Sequence, residues 1–173
     1  DKLLLVDKLL PRITGEYGAI YTDYEDDIYQ ALTEALERLV RYHTIKLIFP
    51  DHSYYSKEIL KGFTHFCQDN AFQHKIISSL DQEIVQEGEV YINMIEEDLV
   101  TLIEKIQPTS LKIGEQVGII SYNETPFKRI VLNGITTISS DFREMGIMAA
   151  HAILSGTTEK QKVPFRLTLR PSL

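Results

Sequence analysis

Short hydrophobic runs, each closing on polar or acidic residues, recur along this chain and alternate with stretches whose apolar positions fall at helical spacing. Leu3 to Val6 is the first run, ending in Asp7, and Ala19 to Tyr21 is the second, closing on Thr22 and Asp23. From Tyr24 to Tyr42 the period changes. Ile28, Ala31, Leu32, Ala35, Leu36, Leu39 and Val40 share one face at i, i+3, i+4, i+7 spacing, with Glu25, Asp26 and Asp27 at the start and Arg38 and Arg41 at the end. Stripe and charge order both predict a helix of about five turns, acidic at its positive end and basic at its negative one. Lys46 to Phe49 reads as a buried strand stopped by Pro50, Asp51 to Ser56 as a polar aromatic loop, and Lys57 to Gln68 as a helix. A strand at His74 to Ser78, an acidic segment from Asp81 to Gly88, a strand at Glu89 to Asn93 and a helix at Glu96 to Ile106 follow. Val117, Ile119 and Ile120 make a near-continuously apolar buried strand, as strands covered on both faces are, with a polar strand end at Ser121 to Glu124. Ile135 to Ile138 is a further strand piece. Phe142 to Leu154 is a helix ended by Ser155 and Gly156, where glycine accepts a left-handed conformation. Lys162 to Leu169 alternates as a final strand.

Strands alternating with helices of this length predict an α/β fold with a parallel sheet. Such sheets bind ligands outside the carboxyl ends of their strands. The residues standing there are Asp23 and Tyr24; Asp51 to Tyr55; Met94, Ile95 and Glu96; and Tyr122, Asn123 and Glu124. Carboxylates, an amide and several tyrosines suit a small polyhydroxylated ligand, whose hydroxyls pair with the planar polar groups while rings cover its apolar face. Any one of these residues could equally be an ordinary solvated strand end; the set carries the expectation.

Composition narrows the function. The 173 residues are 43% hydrophobic and 25% charged, with 6 Pro and 9 Gly, as in an ordinary globular chain. A net charge of −7 argues against these residues gripping nucleic acid themselves, because phosphate binding needs a clustered basic surface. A single cysteine, Cys67, gives neither a disulfide framework nor a zinc cluster and suits a reducing compartment. No apolar run approaches the roughly 20 residues that cross a bilayer. The N-terminus lacks the features of a signal peptide and opens abruptly on a strand, so the chain is expected to be a fragment. The five histidines form no metal-ligand pair, and no nucleophile elbow, phosphate loop or dinucleotide fingerprint occurs, so no catalytic residue, metal site or cofactor is expected. Glu96, Glu97 and Asp98 read as an acidic helix start, and Asp81, Glu83, Glu87 and Glu89 as a solvated acidic face.

The segment VGIISYNETP, followed by ITTISSDFREMGIMAAHAIL and VPFRLTLRPS, resembles the end of the effector-binding module of LacI/GalR transcriptional repressors, a fold shared with periplasmic sugar-binding proteins. Ser121 to Asn123 stand where that family has a Gly-Tyr-Asp turn, Ile135 to Ile138 on its Leu-Thr-Thr stretch, Met145 and Gly146 on its Met-Gly helix, and Arg170 to Ser172 on its Arg-x-Ser ending. The likeness covers essentially the whole chain. It implies a periplasmic-binding-protein-like fold of two lobes joined by three crossings, present here as a fragment. Residues 1–21 would belong to a partial N-terminal lobe, 22–133 to the C-terminal lobe, 134–164 to the return to the N-terminal lobe, with its helix at 142–154, and 165–173 to the closing strand of the C-terminal lobe.

The chain also departs from the family's pattern. Ile59 stands where an arginine for sugar hydroxyls is usual, the family's Asn-Asp falls on Ile95 and Glu96, and its aspartate after Gly-Tyr falls on Asn123. In this it is similar to effector modules joined to winged-helix DNA-binding domains of GntR type. The resemblance implies a cytoplasmic effector sensor that binds a sugar or sugar phosphate between lobes, forms a homodimer and reaches DNA only through another domain, with no membrane association. Asp23, Tyr24, Tyr55, Lys57, Glu96 and Asn123 are the expected ligand contacts. The alternative is a periplasmic sugar-binding protein of a transporter.

Overall fold

The structure is a computed structural model and describes residues 3–52 and 54–173. Ser53 of the expected loop and the first two residues of the expected first segment lie outside the described residues. The chain divides into two compact units, one of Asp1–Asp23 and Ser140–Arg166, the other of Tyr24–Ser139 and Leu167–Leu173. The return that the sequence begins at 134 starts later by this division, because the strand at Thr136–Ser140 pairs with Val117–Tyr122 in the larger unit's sheet.

In the first unit, β1 (Leu4–Asp7), β2 (Gly18–Tyr21) and, from later in the chain, a strand at Lys160–Lys162 make a three-stranded parallel sheet. Helix Phe142–Ser155 packs on it through Met145 and Ala152, which meet Ile20 and Val163. Its N-cap is Asp141, whose side chain accepts the Glu144 amide, and its C-cap is Gly156 at φ 65°, the left-handed ending expected of that glycine.

In the second unit, the stretch expected as one helix from Tyr24 to Tyr42 is two: α1 (Tyr24–Glu34) and α2 (Leu36–Leu39). Ala35 sits between them at ψ −2°, where Arg38 N–H bonds its carbonyl at the tighter i+3 spacing. The break leaves Val40 63% exposed although the periodicity places it on the buried stripe. β3 (Thr44–Ile48), α3 (Glu58–Asp69), β4 (Gln73–Ile77), β5 (Glu89–Asn93), α4 (Glu96–Ile106), β6 (Val117–Tyr122) and β7 (Thr136–Ser140) follow. The helix at Phe142–Ser155 is then α5 and the strand at Lys160–Lys162 is β8. The expected final strand is interrupted at Pro164, which has no N–H to donate, so β8 and β9 (Phe165–Thr168) join different sheets. The larger sheet runs β4-β3-β5-β6-β7-β9, and the neighbours from β4 to β7 pair in parallel. The parallel α/β architecture expected from the alternation of elements is therefore the one observed.

Both faces of that sheet are covered. Tyr91, Ile119 and Ile48 on one face pack against Leu99, Leu102 and Ile106 of α4. α1 and α3 pack closely together, burying Ile28, Leu32, Phe63 and Phe66. Gly62 permits this approach, since a Cβ there would stand 2.0 Å from the Glu25 carbonyl oxygen. The segment read as a solvated acidic face is solvated only in part, which corrects the expectation for Glu83 and Glu89. Asp81 and Glu87 are exposed, but Glu89 is buried and Glu83 half-buried, and both pair with Lys46 of β3, while Tyr91 donates its hydroxyl to Glu89 at 2.6 Å. A lysine pointing into the sheet's covered face needs countercharge, and the acidic segment supplies it.

Candidate functional site

The larger sheet changes direction at β3. From β3 the chain passes through α3 to β4 on one side, then returns to place β5 on the other. Parallel sheets open a crevice at the carboxyl ends of the two strands flanking such a reversal. Here the crevice is bridged by Tyr55, which follows β3 and donates its hydroxyl to the carbonyl of Met94, just after β5, at 2.8 Å. Asn123, just after β6, places its side-chain Nδ2 3.5 Å from the same Tyr55 oxygen. Tyr122 meets the Tyr55 ring edge to face, with centroids 6.1 Å apart. Burial raises the Tyr55 and Tyr122 phenols above their ordinary range; for Tyr122 the charge of Asp27 and the neighbouring phenols Tyr24 and Tyr55 push the same way. Both therefore remain protonated hydroxyl donors throughout physiological pH.

Asn123 has φ 63°, left-handed backbone that asparagine tolerates better than most residues. Its N–H donates to Ile138 at 2.8 Å, tying the end of β6 to β7. At the carboxyl ends of β5 and β6 lie Asn93 and Ser121, register partners on adjacent strands and both fully buried. The Asn93 amide donates to Ile95 at 2.7 Å, while its Oδ1 and the Ser121 hydroxyl have no hydrogen-bond partner among the described residues.

A model of the periplasmic binding protein-like domain matches residues 34–173. The chain belongs to this family. No curated protein matches it in sequence. Among solved structures it is similar to a transcription-regulator-like protein from Staphylococcus haemolyticus, at 20% identity and a TM-score of 0.77, covering 98% of this chain and 66% of that one. A LacI-family transcriptional regulator from Enterococcus faecium, solved with bound ribose, matches at 19% identity and a TM-score of 0.74, covering 99% and 70%. The Lac repressor bound to ONPG matches at 17% identity and 0.74, covering 98% of this chain and 56% of that one. The chain thus spans roughly two thirds of the first of these structures and little more than half of the last.

Within this periplasmic binding protein-like domain, three of the expected contacts lie in one neighbourhood of the larger unit. Tyr55 and Asn123 meet directly, and Tyr24, the first residue of α1, is close enough to act electrostatically on Tyr122. Glu96 opens α4, is exposed, and accepts the Thr125 hydroxyl at 2.9 Å. Lys57 is exposed at the N-cap of α3, and Asp23 is half-buried in the smaller unit. Three further residues of the neighbourhood were not among the expected contacts. Tyr122 stood at a recognised strand end, but an apolar strand hid which way its ring points. Asp27 looked like a helix-start charge and is 2% exposed. Lys128, for which the sequence carried no signal, is 1% exposed. Among the described residues no group of three or more His, Cys, Asp or Glu is placed to hold a metal, and no helix is long and apolar enough to cross a membrane.

Proposed function

We propose that this domain is the effector-sensing portion of a cytoplasmic bacterial transcriptional regulator and that it binds a sugar or sugar phosphate without transforming it. The observation that carries this reading is the Tyr55, Met94 and Asn123 junction at the sheet's reversal, where phenols and an amide converge around the strand ends. Tyrosine faces cover the apolar side of a sugar ring, and the amide pairs with its hydroxyls. Likeness to a LacI-family regulator solved with bound ribose supports a sugar as the class of ligand. Tyr24, Tyr55 and Asn123 are the central contacts, with Asp23, Lys57 and Glu96 as the remaining candidates. DNA would be reached through a separate domain, since net charge −7 leaves this one without the clustered basic surface that grips a nucleic-acid backbone. The protein would act as a homodimer. An effector shifts such a regulator only by binding one of its states more tightly than another.

Thermal unfolding in the presence of ribose, galactose, arabinose and glucose 6-phosphate tests the reading. A ligand at about a hundred times its dissociation constant stabilises by about 2.7 kcal/mol, which a domain of this size reports as a rise of several degrees. No rise with neutral sugars or sugar phosphates would overturn it.

A further inference from the structure

Lys128 lies in the 3-10 turn Phe127–Arg129 and is 1% exposed. Its ammonium donates to the carbonyl of Tyr122 at 2.7 Å and to that of Asn123 at 2.8 Å. Along an extended strand successive residues face opposite ways, so two consecutive carbonyls reach one cation only where the backbone turns. It turns at Asn123, in the left-handed conformation already described. The cation and the turn therefore define one another.

We infer that Lys128 is a positioning residue of the binding site, its ammonium clamping the left-handed turn that carries the Asn123 amide to the Tyr55 hydroxyl. This rests on the reading of the strand ends as a ligand site. Taking an ammonium out of water is costly, and a methionine of similar length would fill the same space without that cost. What the lysine adds is two charge-assisted hydrogen bonds to the strand end. Burial lowers the ammonium's hold on its proton, and the carboxylates of Glu96 and Glu124 act in the opposite direction. Lys128 does not need to touch the ligand. It acts through Asn123, whose N–H is fixed to Ile138 on one side and whose carbonyl is fixed to the ammonium on the other.

Hydrogen–deuterium exchange on the ligand-free chain tests this first, comparing wild type with Lys128→Met, with Lys128→Gln, which keeps an N–H donor, and with Leu102→Ala as a core-destabilised control. Exchange in 121–126 should accelerate about tenfold in Lys128→Met relative to β5 and fall between in Lys128→Gln, while Leu102→Ala leaves this ratio unchanged. Ribose titration by calorimetry is the second arm. Its dissociation constant should rise about tenfold or more in Lys128→Met and less than about twofold in Leu102→Ala, since small misplacements of a binding group are costly. Unaltered relative exchange in 121–126, or equal losses of ribose affinity in Lys128→Met and Leu102→Ala, would overturn the assignment. If wild type does not bind ribose, the proposed function fails for that sugar alone, and the exchange arm still decides Lys128. Should Lys128→Met not fold, Lys128→Gln supplies the same comparison.

Discussion

Glu124 holds the end of β6 through one side chain. Arg170 meets it with both guanidinium nitrogens, Nη1 to Oε2 at 2.9 Å and Nη2 to Oε1 at 2.8 Å, while the Thr137 hydroxyl donates to it and Arg129 lies 3.3 Å away. Burial pushes this carboxyl's pKa up, but the hydrogen bonds from Arg170 and Thr137 and the charges of Arg170 and Arg129 outweigh it and hold the pKa below the usual range. A carboxylate depressed on folding contributes stability that is fully present above its unfolded pKa and is lost as pH falls through the folded one. Glu124→Gln should therefore cost about 1–2 kcal/mol at neutral pH, a partly exposed pair being worth less than a buried one, and should shrink the loss of stability below about pH 4.5. Urea titrations of both proteins between neutral and acid pH measure this; parallel pH profiles would refute it. Tyr55→Phe should cost about 1 kcal/mol, since the Met94 carbonyl loses its donor, with a fall in sugar affinity beside it. Tyr55 and Asn123 were legible in the sequence because polar residues following apolar runs mark strand ends. Lys128 was not, because a lysine's burial depends on carbonyls that only the folded turn at Asn123 presents.

At the scale of elements, the loop from Asp81 to Gly88 is held by charges that face inward. Lys46, Glu83 and Glu89 have side chains no more than 9% exposed, and Lys105 donates to the Glu83 carbonyl at 3.2 Å. Removing one partner of a buried ion pair leaves the other uncompensated in a poor solvent for charge. Lys46→Met should destabilise by about 3–5 kcal/mol, and adding Glu83→Gln and Glu89→Gln should recover part of that loss; denaturant midpoints decide it, and a triple variant weaker than the single would contradict the account. Gly62→Ala should cost about 1–3 kcal/mol by forcing α1 away from α3, a change readable in the same titration. The order of strands and helices was legible because short continuous apolar runs alternate clearly with stretches of 3.6-residue period. The break at Ala35 was not, since alanine continues a helical stripe without trace, and the buried acids were not, since acidic runs in a sequence look alike whether they face water or a hidden lysine. Pro164 was a visible signal that the last strand could not be continuous.

For the whole molecule, the two units differ in how completely they bury their apolar residues. β5 and β6 are buried along their entire lengths. In the smaller unit, Ile20, Met145, Ala152 and Val163 form the core, while Phe142, Ile153 and Leu154 of α5 are 56%, 69% and 86% exposed and Val6 of β1 is 48% exposed. Apolar surface left in water contributes nothing of the roughly 25 cal/mol per Å² that burial yields, yet ordering the backbone of these elements costs as much per residue as anywhere else. The smaller unit should therefore open at lower free energy than the larger sheet. Native-state hydrogen exchange over a series of low urea concentrations resolves this amide by amide. Amides of β2 and α5 should exchange through openings of distinctly lower free energy and smaller urea dependence than those of β5 and β6, because less surface is exposed when they open. Equal opening free energies in β2 and β6 would refute the argument from burial. A sugar bound at the ends of β3, β5 and β6 should then protect the amides of the larger sheet first, since a ligand stabilises the structure it touches.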